Sequence, residues 1–173
     1  GVPQLHGAQW ATMPDRIEAG TYIIASVLAA GPAGVRVKGV PVGALTAFLA
    51  KLQEMGAILS IDGPDTLWVR PSQALKAADF TTDYHPGIAT DLQAALTILA
   101  TQATGSSRVH ETIYENRLMH LPELQKMGAK VDRLDNQRAI ITGPVRLSGA
   151  HVESTDLRAS AALVLAALVA NGW

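Results

Sequence analysis

The fold is decided by two similar stretches, LAKLQEMGA at residues 49–57 and LPELQKMGA at residues 121–129, which begin 72 positions apart. Each ends a helical pattern with Met-Gly-Ala and is followed by a short run typical of a β-strand. Gly56 and Gly128 stand where the C-terminus of a helix favours a residue that tolerates positive φ. Self-similarity of this kind predicts a fold built from repeated units.

A second repeated feature is an aspartate in front of a strongly apolar helical segment. Asp15, Asp91 and Asp156 precede the segments RIEAGTYIIASVLAAG, LQAALTILATQATG and LRASAALVLAALVANG, each of which ends in glycine. Helices that are apolar on nearly every side must be surrounded by protein. We therefore expect three central helices wrapped by sheets with pseudo-threefold symmetry. The three aspartates should lie at one end, where each would cap its helix.

The remaining periodicity predicts an α/β fold of repeated βαβαββ units. We expect one domain over residues 1–173, with units at about 1–76, 77–142 and 143–173, the last of them incomplete. The first unit has predicted strands near 35–40, 57–61 and 66–70 and an amphipathic helix near 43–55. The second has predicted strands near 78–82, 106–112, 129–134 and 137–142, and helices near 91–104 and 117–127. The third is expected to open with a strand within GPVRLSGAHV at 143–152, which resembles GVPQLHGAQW at 1–10.

Composition narrows the class of protein. Apolar residues make up 48% of the 173 residues and charged ones 17%, as in a globular domain. The net charge of -1, without a basic block, makes nucleic acid and anionic membranes poor candidates for partners. The absence of cysteine excludes disulfides and a cysteine nucleophile within this chain, and the histidines lack metal-ligand spacing. No signal peptide or spanning segment is visible, so a cytoplasmic protein is expected.

Four motifs carry a resemblance to a known family. They are PDRIEAGTYIIA at 14–25, ATDLQA at 89–94, ETIYENRLMHLPELQKMGA at 111–129 and LSGAHVESTDLRASAALVLAAL at 147–168. Through them the chain resembles the UDP-N-acetylglucosamine 1-carboxyvinyltransferases, over essentially its whole length. The resemblance implies transfer of enolpyruvate from phosphoenolpyruvate to the 3-hydroxyl of UDP-N-acetylglucosamine in peptidoglycan synthesis, without a cofactor. It also implies the EPSP synthase-like inside-out α/β barrel, in two domains with the substrates between them.

The resemblance further implies roles for individual residues. Asp91 matches the aspartate that contacts the attacking sugar hydroxyl and is a proposed general base, and Asp156 matches a second aspartate near the reaction centre. Substrate-binding roles are implied for Asp15, Arg16, Thr90, Ile113, Tyr114, Arg117 and Arg158. Tyr114 and Leu118 stand where the family has phenylalanines. Tyrosine keeps the flat ring, so stacking is expected to survive.

The residues themselves leave simpler alternatives open. Asp91 could be a helix cap, and Arg117 and Arg158 could form salt bridges with Asp15 or Asp156. Burial would raise the pKa of Asp91, whereas the helix dipole and the arginines would lower it and favour a role in orienting the hydroxyl. For His120 a structural role is the better interpretation.

What this chain lacks shapes the functional expectation. The family's mobile loop, which carries the acid, and several phosphate-binding arginines lie in the other domain. We therefore expect a fragment from the C-terminal half of such an enzyme, silent without the second domain and prone to self-association through uncovered apolar surface. A relative of 3-phosphoshikimate 1-carboxyvinyltransferase and a non-catalytic scaffold domain are the rival hypotheses.

Overall fold

A computed structural model of the chain describes residues 3–154 and 156–172. Its helices are α1 (Arg16–Ala29), α2 (Thr46–Glu54), α3 (Gln93–Thr101), α4 (His120–Lys126) and α5 (Leu157–Ala167). Its strands are β1 (Val35–Lys38), β2 (Ile58–Ile61), β3 (Thr66–Arg70), β4 (Phe80–Thr81), β5 (Gly105–His110), β6 (Lys130–Arg133) and β7 (Arg138–Gly143). Short 3-10 turns occupy Val42–Ala44 and Thr90–Leu92. Among these described residues, no helix is both long and apolar enough to cross a membrane.

The strands form two sheets of related topology. One has the order β1-β3-β2 and is antiparallel throughout, with Val37 opposite Leu67. The other has the order β4-β5-β7-β6, in which β5, β7 and β6 are antiparallel and β4 runs parallel to β5. The order β5-β7-β6 repeats β1-β3-β2, so β4 is the additional edge strand of the second sheet.

The two Met-Gly-Ala turns adopt the same conformation. Gly56 and Gly128 have φ values of 93° and 94°, as the sequence predicts. The carbonyl of Met55 accepts a hydrogen bond from the Lys76 N–H, and the carbonyl of Met127 accepts one from the Ser148 N–H. Each turn therefore holds the segment that leads into the next apolar helix.

The three apolar helices pack side by side, as predicted, but they are not equally enclosed. Every residue of α3 is buried, and α3 contacts α1, α5 and the sheet strands β5 and β7. Tyr22 on α1 is 60% exposed and Val164 on α5 is 65% exposed. Full enclosure therefore holds for α3, whereas α1 and α5 bury one face within this chain.

The strand that the βαβαββ pattern predicts before α1, the strand predicted within 143–152 and three helix starts differ from the structure. The helix predicted near 43–55 starts at Thr46, and the one predicted near 117–127 starts at His120. Residues 3–14 contain no strand and are exposed, because they have no neighbouring strand to supply hydrogen bonds. Within 144–152 the predicted strand is reduced to one bridge, between Ser148 and Asn171. The helix predicted to start at Asp91 starts at Gln93, because residues 90–92 form a tighter 3-10 turn. The predictions for residues 1, 2 and 173 lie outside the described residues.

Candidate functional site

A cavity of about 360 Å³ lies where α5 begins, beside the 90–92 turn. Its volume is within the range of small-molecule sites. It brings together five of the residues that the sequence predicted for the site. The lining residues are Asp91, Tyr114, Glu115, Asn116, Arg117, Met119, Asp156, Leu157 and Arg158.

Asp91 is the centre of this cavity. Its Oδ1 lies 2.5 Å from a guanidinium nitrogen of Arg117, and its Oδ2 lies 3.0 Å from one of Arg158. The capping role considered for Asp91 is wrong, because no backbone N–H of the 90–92 turn or of α3 donates to its side chain. Its oxygens accept charge-assisted hydrogen bonds from the two guanidinium groups. The pairing of these arginines with Asp15 or Asp156 is also wrong, since both contact Asp91.

Asp156 and Tyr114 complete the two sides of the cavity. Asp156 caps α5, and its Oδ1 accepts hydrogen bonds from the Arg158 and Ala159 N–H groups. This cap places the Arg158 side chain at the helix start, next to Asp91. The ring of Tyr114 lies 5.0 Å from the Arg117 guanidinium carbon, which is within cation–π range.

Thr90 and Ile113 do not line this cavity but are joined just behind it. The Thr90 hydroxyl donates to Oε2 of Glu111 at 2.8 Å, and the Ile113 N–H donates to Oε1 at 2.8 Å. Glu111 is a residue that the sequence argument missed. The sequence signal was a glutamate placed just before a polar loop. Its carboxylate can accept the N–H groups of the residues two and three positions later.

A second carboxylate anchors the approach to α5. Glu123 accepts two hydrogen bonds from Nζ of Lys126 and one from the Glu153 N–H. The hydrogen bonds from Lys126 and then from Glu153 hold the pKa of Glu123 below its ordinary value. The segment leading to Asp156 is thereby tied to α4.

His120 is the first residue of α4 and is 1% exposed. Burial lowers the pKa of His120 to about 4, although the charge of Asp156 and a hydrogen bond with the Arg117 backbone act in the opposite direction. Its Nε2 has no hydrogen-bond partner among the described residues. The structural role expected for this histidine agrees with its position in the core.

Asp15 and Arg16 lie at the same end of the molecule but line a different cavity. Gly20, one turn into α1, packs against Leu92, so α1 and α3 begin side by side. Asp15 caps α1 through its Oδ1, as predicted. Arg16 lies 3.3 Å from Nδ1 of His85, in a neighbouring cavity of about 480 Å³. The end of the molecule at which the three aspartates were expected to meet is therefore divided between two cavities.

The charges of the first cavity limit what it can bind by itself. Its lining carries three carboxylates, Asp91, Glu115 and Asp156, against the two guanidinium groups of Arg117 and Arg158. The guanidinium donors that do not face Asp91 remain suited to phosphate or carboxylate oxygens. No cluster of three metal-ligating side chains occurs in residues 3–154 and 156–172.

Comparison with known proteins assigns the family. A family model described as EPSP synthase (3-phosphoshikimate 1-carboxyvinyltransferase) matches residues 1–173. The chain belongs to the EPSP synthase family. Among solved structures, the enolpyruvyl transferase NikO from Streptomyces tendae is similar to this chain, with a TM-score of 0.82 and 30% sequence identity. The match covers 91% of this chain and 37% of NikO. The inside-out α/β fold class expected from the sequence is confirmed.

Two curated relatives refine the position of the chain within the EPSP synthase family. They are the UDP-N-acetylglucosamine 1-carboxyvinyltransferases of Gloeobacter violaceus and Koribacter versatilis, 45% and 49% identical to it over 172 residues. The match covers 99% of this chain but only 37% and 39% of the two relatives. The resemblance noted in the sequence is thus confirmed, and the chain corresponds to a part of such enzymes.

Proposed function

We propose that this chain forms one wall of a UDP-N-acetylglucosamine site within a longer enolpyruvyl transferase. The parent enzyme would move enolpyruvate from phosphoenolpyruvate to the 3-hydroxyl of the sugar. The observation that carries the proposal is the Asp91 carboxylate held between Arg117 and Arg158 at an open cavity. Identity of 45% and 49% to enzymes of that name supports the choice of acceptor.

The proposed chemistry follows from the contacts of Asp91. Enolpyruvyl transfer needs a group that orients the attacking hydroxyl and cations that stabilise the phosphate and carboxylate charges. Each Asp91 oxygen accepts one guanidinium bond and keeps a lone pair for the sugar hydroxyl. With both arginines in contact, the Asp91 carboxylate is held in position to orient this hydroxyl. Asp156 would act next to it at the reaction centre.

The other predicted residues have proposed roles around this centre. Thr90, Ile113 and Tyr114 would position the uridine and sugar-diphosphate portion, with the Tyr114 ring as a stacking surface. Arg117 and Arg158 would contact oxygen anions of the substrates in bidentate geometry. Asp15 and Arg16 would contribute from the neighbouring cavity once the second domain closes the cleft.

The parent protein is proposed to be a cytoplasmic enzyme of cell wall biogenesis, with consequences for cell shape and cell division. Residues 1–173 would form one of its domains, from three related units. Because carboxylates outnumber guanidinium groups around the Asp91 cavity, further cations from the rest of the enzyme are needed to hold two anionic substrates. The chain alone is therefore expected to bind weakly and not to turn over.

Calorimetric titration of the chain with UDP-N-acetylglucosamine tests the proposed site. Arg117→Ala is expected to weaken binding by at least about tenfold, since a hydrogen bond to a charged group contributes roughly 1.5–3 kcal/mol. Arg36→Ala is the matched control, because it removes an exposed arginine of the β1-β3-β2 sheet, where Arg36 pairs with Asp62. Equal loss in both variants, or saturable binding of shikimate 3-phosphate in place of the nucleotide sugar, would contradict the assignment. An inert scaffold would bind neither ligand.

Phosphate release measures turnover directly. With both substrates present, the chain alone is expected to release no phosphate above a buffer blank. Supplying the missing domain as a separate polypeptide is expected to restore release. Turnover by the chain alone would show that it contains a complete catalytic site.

Self-association of the chain is also proposed, through the exposed side of α5. Leu157, Val164 and Leu168 follow one another at helical spacing and are each at least half exposed. A contiguous apolar stripe of this kind favours association. The mass measured by size exclusion should rise with protein concentration, and Val164→Lys should lower this mass. A constant monomer mass excludes the association.

A further inference from the structure

Glu111 is a fully buried acidic residue that joins two segments next to the Asp91 cavity. Its relative exposure is 0%, and it directly follows β5. Its own N–H donates to the Gln137 carbonyl, just before β7, so its backbone is fixed to the sheet. In the described part of the chain, no lysine, arginine or histidine lies within salt-bridge distance of its carboxylate.

The carboxylate of Glu111 is satisfied by hydrogen bonds from two separate segments. Oε1 accepts the N–H groups of Ile113 at 2.8 Å and Tyr114 at 3.2 Å. Oε2 accepts the hydroxyl of Thr90 at 2.8 Å. A buried carboxylate is tolerated when its oxygens are hydrogen-bonded, and these three donors satisfy both oxygens.

These two segments carry the opposing sides of the Asp91 cavity. Thr90 immediately precedes Asp91, and Tyr114 begins the loop that ends at Arg117. Asp91 and Arg117 meet at 2.5 Å, and Arg117 stacks on the Tyr114 ring. The same two segments are therefore connected twice, once by the hydrogen bonds of Glu111 and once by the Asp91–Arg117 pair.

We infer that Glu111 is a positioning residue, which sets the site geometry by tying the Thr90–Asp91 turn to the Ile113–Tyr114 loop. Its buried carboxylate is bonded to these two segments and is therefore not placed to contact substrate. Its importance for ligand binding rests on the function proposed above, whereas its coupling of the two segments does not.

Substitutions at the two ends of the link separate positioning from simple packing. Thr90→Val removes the donor to Oε2 and keeps the side-chain shape, while Thr90→Ser retains a hydroxyl. Glu111→Gln keeps an oxygen for the two backbone N–H groups, but its NH₂ must then donate to Thr90, which reverses the direction of that hydrogen bond. Glu54→Gln makes the same chemical change at an exposed position of α2 and serves as the control.

The experiment combines amide NMR spectra with nucleotide-sugar titration on the whole chain. Thr90→Val is expected to shift the amide resonances of Ile113 and Tyr114 and to weaken UDP-N-acetylglucosamine binding about tenfold. Thr90→Ser should restore both. Glu111→Gln should shift the same two amides and weaken binding, while Glu54→Gln should change neither.

The outcomes distinguish this inference from the proposed function. Unchanged Ile113 and Tyr114 amides in Thr90→Val would overturn the coupling, as would wild-type binding in both Thr90→Val and Glu111→Gln. If the unaltered chain shows no saturable binding of nucleotide sugar, the weak binding expected of the proposed site is contradicted, and the amide shifts still decide the role of Glu111. The Thr90 variants give this answer even if Glu111→Gln does not fold.

Discussion

Acidification from pH 6.5 to pH 4 is expected to lower the free energy of unfolding by about 3 kcal/mol through His120 alone. The ring is 1% exposed, and burial lowers its pKa from 6.5 to about 4. The charge of Asp156 and the hydrogen bond with the Arg117 backbone oppose this shift without cancelling it. A loss of that size is a large part of the stability of an ordinary domain.

The sign of the effect follows from which state binds the proton. Between pH 4 and pH 6.5 the unfolded chain protonates His120, whereas the folded chain keeps the ring neutral. The unfolded state thus binds more protons in this range, and stability rises with pH by up to about 1.4 kcal/mol per pH unit. The lowered pKa values of Glu123 and Asp135 add a further acid-induced loss, but only below their ordinary values of 4.5 and 3.8.

Urea unfolding at several pH values between 4.5 and 7 measures this contribution. His120→Leu should flatten the pH dependence in this range, and the difference between wild type and variant isolates the histidine. His6→Gln, in the exposed segment before α1, should keep the wild-type slope. A His120→Leu protein with an unchanged slope would contradict the assignment.

Gly143→Ala is expected to destabilise the fold by at least about 3 kcal/mol, the upper end of ordinary overpacking. A Cβ at this position would lie 2.5 Å from the carbonyl oxygen of Ala103, 2.7 Å from that of Thr101 and 2.8 Å from that of Ala100. All three belong to the backbone at the end of α3, so no side-chain rotation can relieve the clash. The end of β7 and the end of the central helix would have to separate.

Thermal or urea unfolding of Gly143→Ala checks this expectation. Gly7→Ala is the matched control, since no atom lies within 4 Å of the position where its Cβ would be. The control should unfold within about 0.5 kcal/mol of wild type, as surface substitutions do. A Gly143→Ala protein of wild-type stability would mean that β7 and α3 approach less closely than described.

The repeated helices were predictable because their signals are local. The Met-Gly-Ala ends depend on a helix C-terminus and a glycine that accepts positive φ, both readable from a few residues. The apolar segments before glycine predicted the helices that form the centre. Strand formation was less predictable at residues 3–14, because a strand depends on a partner that local sequence does not contain.

The candidate site was predictable in its membership and not in its contacts. Asp91, Arg117 and Arg158 were each identified by resemblance, yet the pairing of both arginines with Asp91 depends on how α5 and the 90–92 turn meet. Glu111 escaped notice because a buried glutamate is unusual and its partners lie both two residues and 21 residues away.

By itself, the amino-acid sequence determined the repeated α/β units, the apolar central helices and the aspartate caps of α1 and α5. These features arise from periodicity, glycine conformation and capping, which act over a few residues. Only the tertiary structure decided that Asp91 pairs with two arginines, that Arg16 lies in a separate cavity and that His120 is buried away from water. Such properties depend on distances between segments far apart in the chain, and those distances are set by packing.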